Sequence, residues 1–137
     1  MMLDADLFKK INDTHGHQAG DLCLKSIAYV LRRNVRQGDI IGRIGGEEFA
    51  IYLRDTTIQQ ARVIGERLTK PSAFQSEANE HLSVTLSIGA VFSYPGSTID
   101  QLFGLADTAL YRAKVAGRAR MVIWEKSLEE SVEPNTA

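Results

Sequence analysis

The chain has 137 residues, 44% of them hydrophobic and 24% charged, with a net charge of −1. These values describe one globular domain, long enough for a core and too neutral for general attraction to nucleic acid or membranes. A single cysteine, Cys23, excludes a disulfide framework and predicts a reducing compartment, the cytoplasm; no apolar run approaches the ~20 residues of a membrane span.

Met1 to Asp4 is a short apolar run ending in an acid, a strand already under way at the first residue. Leu7 to Asn12 is spaced for a short helix, and Thr14 to Gly20, rich in His and Gly, for a loop. Asp21 suits the N-cap of a helix running to about Val35, with Leu24, Ile27, Ala28, Leu31 and Val35 at helical spacing. Arg36-Gln37-Gly38-Asp39 breaks it. Two apolar runs then flank Gly45-Gly46-Glu47-Glu48, which predicts a hairpin with positive φ in a Gly-Gly turn. Thr56 or Thr57 can cap a helix through about Lys70, with Ile58, Ala61, Ile64, Gly65 and Leu68 on one face.

Residues 71–81 are polar and irregular, with room for a short strand near Phe74. Residues 83–92 alternate as one strand. A turn at Tyr94-Pro95-Gly96 leads to a helix from Ile99 to Ala116, with Leu102, Ala106, Ala109, Leu110 and Ala113 inward and Gly117 as its stop. Residues 120–124 form a last strand, and the acidic, polar tail 125–137 is predicted to be disordered. The order β-α-β-β-α-β-α-β predicts an α/β fold over residues 1–124, a central mixed sheet of about five strands flanked by helices.

Two acids directly after a side-chain-free turn are more than a hairpin requires. If the strand ending in Asp4 neighbours the one begun by Glu47 and Glu48, the three acids meet at one sheet end. Carboxylates with a backbone carbonyl, for which Ala5 is the natural candidate, suit Mg²⁺, which takes its other ligands from water and phosphate; strand-end acids can equally be solvated. The start of the helix after Asp4, with Lys9 nearby, offers free N–H groups to an anion. Lys114 and Arg118, four apart and expected on one helix face, either grip phosphates or complement the helix dipole. Asn12 and Asp21 flank the His/Gly loop. A carboxylate there can accept from guanine N1–H and N2–H₂, although Asp21 also reads as an ordinary N-cap. His15 and His17 carry a weak metal signal and a stronger one for loop hydrogen bonding.

The chain resembles the GGDEF domain of diguanylate cyclases. The resemblance rests on five ordered blocks: Asp4-Ala5-Asp6-Leu7-Phe8-Lys9-Lys10-Ile11-Asn12-Asp13, Gly16-His17-Gln18-Ala19-Gly20-Asp21, Gly45-Gly46-Glu47-Glu48-Phe49, residues 84–89, and residues 106–114 with Gly117-Arg118. It implies a nucleotide-cyclase-like fold with a ferredoxin-like core. It implies that two GTP molecules on two facing domains of a homodimer condense to cyclic di-GMP with loss of pyrophosphate. By similarity, Asp4, Glu47 and the Ala5 carbonyl hold Mg²⁺ or Mn²⁺, and Glu48 lies beside the attacking hydroxyl. Leu7, Phe8, Lys9, Lys114 and Arg118 face the phosphates, Asn12 and Asp21 read guanine, and Gly45 and Gly46 let the nucleotide approach. Arg36 and Asp39 match the family's Arg-x-x-Asp product-inhibition pattern, with Arg67 as a secondary contact; the plainer reading is a polar turn.

The family's preceding helix, with its Leu-Thr-Gly-Leu-x-Asn-Arg-Arg pattern, is not among these residues. The expectation is therefore a domain without its first helix, fed by an upstream sensory module in the whole protein. Ala119 replaces the asparagine usual after Gly-Arg, a change expected to matter little. The rival reading is a catalytically inactive domain that binds GTP or cyclic di-GMP for regulation; the intact acids speak against it.

Overall fold

The structure, a computed structural model, describes residues 1–126. The predicted disorder of the tail falls, beyond Glu125 and Lys126, outside the described residues. The elements run β1 (Met2–Ala5), α1 (Phe8–His15), α2 (His17–Asn34), β2 (Ile40–Gly45), β3 (Glu48–Tyr52), α3 (Ile58–Leu68), β4 (Ser72–Gln75), β5 (His81–Val84), β6 (Leu86–Ala90), α4 (Ile99–Val115) and β7 (Met121–Ile123).

Five strands form one sheet in the order β2-β3-β1-β6-β7. Its first four strands are antiparallel neighbours and, with α2 and α3, make the expected split βαβ, ferredoxin-like core. The chain then crosses through α4 to lay β7 parallel to β6. On one face Leu3, Phe49, Ile51 and Ile88 meet Cys23, Leu24, Ile27 and Leu31 of α2 and Leu68 of α3. On the other, Met2 packs against Ala106 and Leu110 of α4. Strands β1 and β6 are buried along their whole length, as central strands covered on both faces must be. Burial pushes the Cys23 thiol up to about 11, so it is a packing residue and not a nucleophile.

Gly89 shows why α4 sits where it does. A Cβ there would lie 2.1 Å from the Ala106 carbonyl oxygen and 2.3 Å from the Leu110 nitrogen. Only glycine lets the α4 backbone rest directly on β6, which fixes the helix that carries Lys114. Thr57 and Thr98 close capping boxes with Gln60 and Gln101 and set the starts of α3 and α4. Among the described residues, no helix is long and apolar enough to cross a membrane.

Several expectations are corrected. Residues 14–20 are not a loop: α1 runs to His15, α2 starts at His17, and Gly16, at φ 91, is the whole break. Asp21 is therefore not an N-cap but an exposed residue inside α2, its carboxylate free of that duty. The strand expected over 83–92 is two strands parted at Thr85. β5 pairs with β4 in a separate two-stranded sheet, while β6 enters the main one. Period-two alternation cannot show such a break, because it is compatible with either sheet. The hairpin turn falls on Gly46-Glu47, neither Gly45 nor Gly46 has positive φ, and a register shift between Arg43 and Gly45 supplies the irregularity.

Candidate active site

The site is built at the end of β1. Asp4 lies across the ladder from Glu48 on one side and Ser87 on the other, only 5% exposed. The Ala5 amide donates to the Glu47 carbonyl at 3.1 Å, stitching the hairpin turn to the strand that carries Asp4. Lys114 reaches from α4 to form an ion pair with the Asp4 carboxylate. Burial raises the Asp4 pKa; the hydrogen bond and charge of Lys114 oppose the rise, and the charges of Glu47 and Asp6 add to it. Glu47 and Glu48 are half-buried, and neither carboxylate has a hydrogen-bond or ion-pair partner among the described residues. Negative charge thus accumulates at a partly dry sheet end, an arrangement that favours a further cation.

Among the described residues, no three His, Cys, Asp or Glu side chains converge closely enough to hold a metal alone. Asp4, Glu47 and a carbonyl can supply only part of a coordination shell, which is how Mg²⁺ is held when phosphates and water complete it. The donor set, hard oxygens throughout, fits such an ion.

Gly45 and Gly46 face open space: a Cβ on either would meet no heavy atom within 4 Å. Neither positive φ nor internal crowding asks for glycine here. What the missing side chains leave is backbone that something outside the domain can reach. Arg43 fixes this stretch, its Nε and Nη2 donating to the Gly46 carbonyl at 3.0 and 2.7 Å and its Nε to the Gly45 carbonyl at 3.3 Å. Sequence reasoning passed over Arg43, because an arginine near a turn is too common to stand out.

Leu7 enters α1 with φ 56 and ψ 33, and no side chain caps the helix. A bulky residue in that region is strained by about 1–2 kcal/mol, and the first N–H groups of α1 are left for another acceptor. Lys9 is exposed beside them, while the Phe8 side chain packs on the core. Lys114 and Arg118 do not share a helix face as expected. Arg118 follows the end of α4, at φ 62, between Gly117 at φ 122 and Ala119 at φ 49. Ala119 holds a left-handed backbone that asparagine, the residue usual at this position, tolerates better than alanine does.

Asn12 lies on α1 against α2, its Oδ1 buried without a partner among the described residues. Gly20 makes the space, since a Cβ there would fall 1.8 Å from that oxygen. A buried acceptor without a donor costs about 1–3 kcal/mol, so the α1–α2 contact holds this amide at a cost. Asp21 follows Gly20 directly, so both predicted guanine readers fall at one α1–α2 contact. His15 is tied to Glu80 at 2.9 Å, the hydrogen-bonding alternative expected for it, and His17 begins α2.

Arg36 and Asp39 lie apart from this end and are engaged with their own surroundings. Asp39 accepts from the Arg36 amide at 2.8 Å and the Arg54 amide at 3.0 Å. The Arg36 guanidinium donates to the Arg54 carbonyl at 2.5 Å and to Thr56 Oγ1 at 2.9 Å. Burial works against the Asp39 anion, but these amides and the charge of Arg36 outweigh it and hold its pKa below the usual carboxylate range. Arg67 is exposed in the last turn of α3, the helix that follows the Arg54–Thr56 loop.

The family described as "Diguanylate cyclase, GGDEF domain" matches residues 1–120. A diguanylate cyclase of Pseudomonas aeruginosa, DgcP, is 44% identical over 127 residues, 89% of this chain and 18% of that protein. The chain spans 18% to 36% of the length of the first curated relatives it matches. Among solved structures, the GGDEF domain of PA1120 (TpbB or YfiN) from Pseudomonas aeruginosa superposes with TM-score 0.86 at 32% identity, covering 95% of this chain and 78% of that one. The GGDEF domain of DgcB from Caulobacter crescentus, in complex with c-di-GMP, gives TM-score 0.78 at 33% identity, covering 89% and 74%.

Proposed function

The chain belongs to the GGDEF family of diguanylate cyclase domains, and from that premise we propose that it condenses two GTP molecules into cyclic di-GMP. Each of two facing copies holds one nucleotide. The 3′-hydroxyl oxygen of each GTP bonds to the α-phosphorus of the other, the bond to the β-phosphate bridging oxygen breaks, and pyrophosphate leaves; this happens twice. The observation that carries the reading is the convergence of Asp4, Glu47 and Glu48 with Lys114 at the end of β1, beside the uncapped start of α1.

The roles follow from position and chemistry. Glu48, half-buried and with no side-chain partner among the described residues, is the group we assign to take the 3′-hydroxyl proton. The α1 amides from Leu7 to Lys9, with the Lys9, Lys114 and Arg118 cations, hold the β- and γ-phosphates. Asn12 and Asp21 accept from the guanine edge, which adenine cannot satisfy. Gly45 and Gly46 let ribose and α-phosphate lie against the hairpin. Asp4, Glu47 and the Ala5 carbonyl would hold Mg²⁺ or Mn²⁺, which when bound neutralises phosphate charge and favours an ionised attacking oxygen. Lys114 must leave Asp4 for that, and phosphates give its ammonium another partner. Positioning and charge neutralisation supply most of the rate, as is general for phosphoryl transfer.

Product inhibition at Arg36 and Asp39, with Arg67 nearby, belongs to the same reading. Cyclic di-GMP there has to exchange its guanine edges for the Arg54 and Thr56 contacts of Arg36. GTP as substrate fits the cytoplasm, and an upstream module fits the need to bring two domains together.

The test is synthesis of cyclic di-GMP from GTP and Mg²⁺ by the chain held as a dimer through a fused coiled coil. GTP bound without any product, in that dimer, would overturn the catalytic reading and favour the regulatory one; no binding of either GTP or cyclic di-GMP would overturn both.

A further inference from the structure

The buried carboxylate of Asp6 belongs to no role assigned above. It is 8% exposed. It accepts hydrogen bonds from the Thr85 hydroxyl at 2.7 Å, the Ser87 hydroxyl at 2.5 Å and the Ala119 amide at 3.0 Å, and its own amide donates to the Thr85 carbonyl at 2.9 Å. Two hydroxyls from the β5–β6 junction therefore aim this carboxylate at one amide, 113 residues further along the chain.

What lies on each side of that bond gives it meaning. Asp6 directly precedes Leu7, whose left-handed backbone starts α1 and exposes its uncapped amides. Ala119 directly follows Arg118, in a turn where Gly117, Arg118 and Ala119 all have positive φ. Two consecutive non-glycine residues in that region cost about 1–2 kcal/mol each and persist only where surroundings over-determine them. The Arg118 amide donates to the Ala113 carbonyl at 3.0 Å, an ordinary helix-end bond. Arg120 Nε donates to the Arg118 carbonyl at 3.0 Å from within the turn, and the Asp6 carboxylate holds Ala119 from the other end of the chain.

We propose that Asp6 is a positioning residue that locks the two halves of the phosphate clamp, the α1 amides and the Arg118 turn, into one unit. It touches no substrate; it sets the distance between donors from opposite ends of the chain. The proposal rests on the nucleotide reading of this site. Asp6→Asn keeps the shape and the hydroxyl partners but turns an N–H toward Ala119 or weakens the bond to it. With its turn released, Arg118 loses its hold on the outer phosphates while guanine recognition at Asn12 is untouched.

The experiment is calorimetric titration of the full chain with GTP and with GMP. Asp6→Asn should weaken GTP binding about tenfold, the scale of one lost charge-assisted bond, and leave GMP binding within about twofold. In an Arg118→Ala background the same substitution should have little further effect on GTP. Ser87→Ala, which removes one hydroxyl that aims the carboxylate, should act in the same direction and more weakly; it serves as the test if Asp6→Asn does not fold. Equal losses for GTP and GMP, or a full additional loss on top of Arg118→Ala, would mean a merely structural acid and overturn the proposal. Wild-type protein that fails to bind GTP would overturn the nucleotide reading itself, whereas normal GTP binding by Asp6→Asn and Ser87→Ala would overturn only the role of Asp6.

Discussion

The end of β1 and the Arg36–Asp39 corner carry similar residues, acids and arginines at turns, and the structure treats them in opposite ways. At the corner, Asp39 receives two amides and Arg36 donates to a carbonyl and a hydroxyl, so its charges are spent inside the domain. At the β1 end, among the described residues, the Glu47 and Glu48 carboxylates have no hydrogen-bond or ion-pair partner, Asn12 Oδ1 is buried without one, no side chain caps the start of α1, and Gly45-Gly46 faces open space. Unspent hydrogen-bonding capacity and strain raise the free energy of a fold, and a ligand that uses them recovers that cost. A ligand at the corner has instead to displace bonds already made. The first arrangement suits a substrate site; the second suits a site that responds only when a strong competitor accumulates.

The contrast can be broken most forcefully at Glu48. Glu48→Gln should lower cyclic di-GMP formation by ~10²–10⁴-fold while changing stability by less than about 0.5 kcal/mol, read by turnover in the dimerised chain and by urea unfolding. A large loss of stability would mean that Glu48 is engaged within the fold after all. Gly20→Ala comes next. Its methyl must displace Asn12, so GTP affinity should fall at least about tenfold and stability by about 1–3 kcal/mol, measured by calorimetry and denaturant midpoint. Unchanged GTP binding would remove Asn12 from the guanine site.

At the corner the expected effect is on folding and on inhibition by accumulated product, not on the uninhibited rate. Asp39→Asn should cost about 1–3 kcal/mol at neutral pH, since it spoils hydrogen bonds to a charged acceptor. Because the folded pKa of Asp39 is depressed, its contribution is complete above its unfolded pKa near ~3.9 and is lost as pH falls through the lower folded value. The stability gap between wild type and Asp39→Asn should therefore be flat from neutral pH to about pH 5 and close only in stronger acid. A gap that closes already near neutrality would contradict the assignment. The smallest effect is at Ala119. Ala119→Asn should raise stability by up to about 1 kcal/mol by easing its left-handed backbone, visible as a small rise in the urea midpoint; no change would show that the turn around Arg118 is not strained.

Much of this was legible beforehand where chemistry is written in contiguous residues. The α2 stripe of Leu24, Ile27 and Leu31 and the capping Thr57 stand where their spacing predicts, and Glu48 opens β3 as expected, while Glu47 falls in the turn before it. The Gly16 break reads as a loop in the sequence because a single glycine between two helices carries the same residue types as a longer turn. The Thr85 break was invisible because β5 and β6 share one alternation. Asp6 and Arg43 escaped notice because their partners, Ala119 for one and backbone carbonyls for the other, leave no periodic trace.

The sequence by itself determined the family, the succession along the chain of the elements that build the main sheet, and the residue types at the reactive end, since each depends on neighbours within a few positions or on blocks in fixed order. Only the tertiary structure decided which groups are already satisfied and which are not. It paired Lys114 with Asp4 across 110 residues, tied Asp6 to Ala119 across 113, and left the Glu47 and Glu48 carboxylates and Asn12 Oδ1 without a partner among the described residues. Hydrogen bonds and charges are settled by distances in space, and a strand order that places the chain's beginning between its middle and its end brings together groups whose separation along the chain gives no hint of contact.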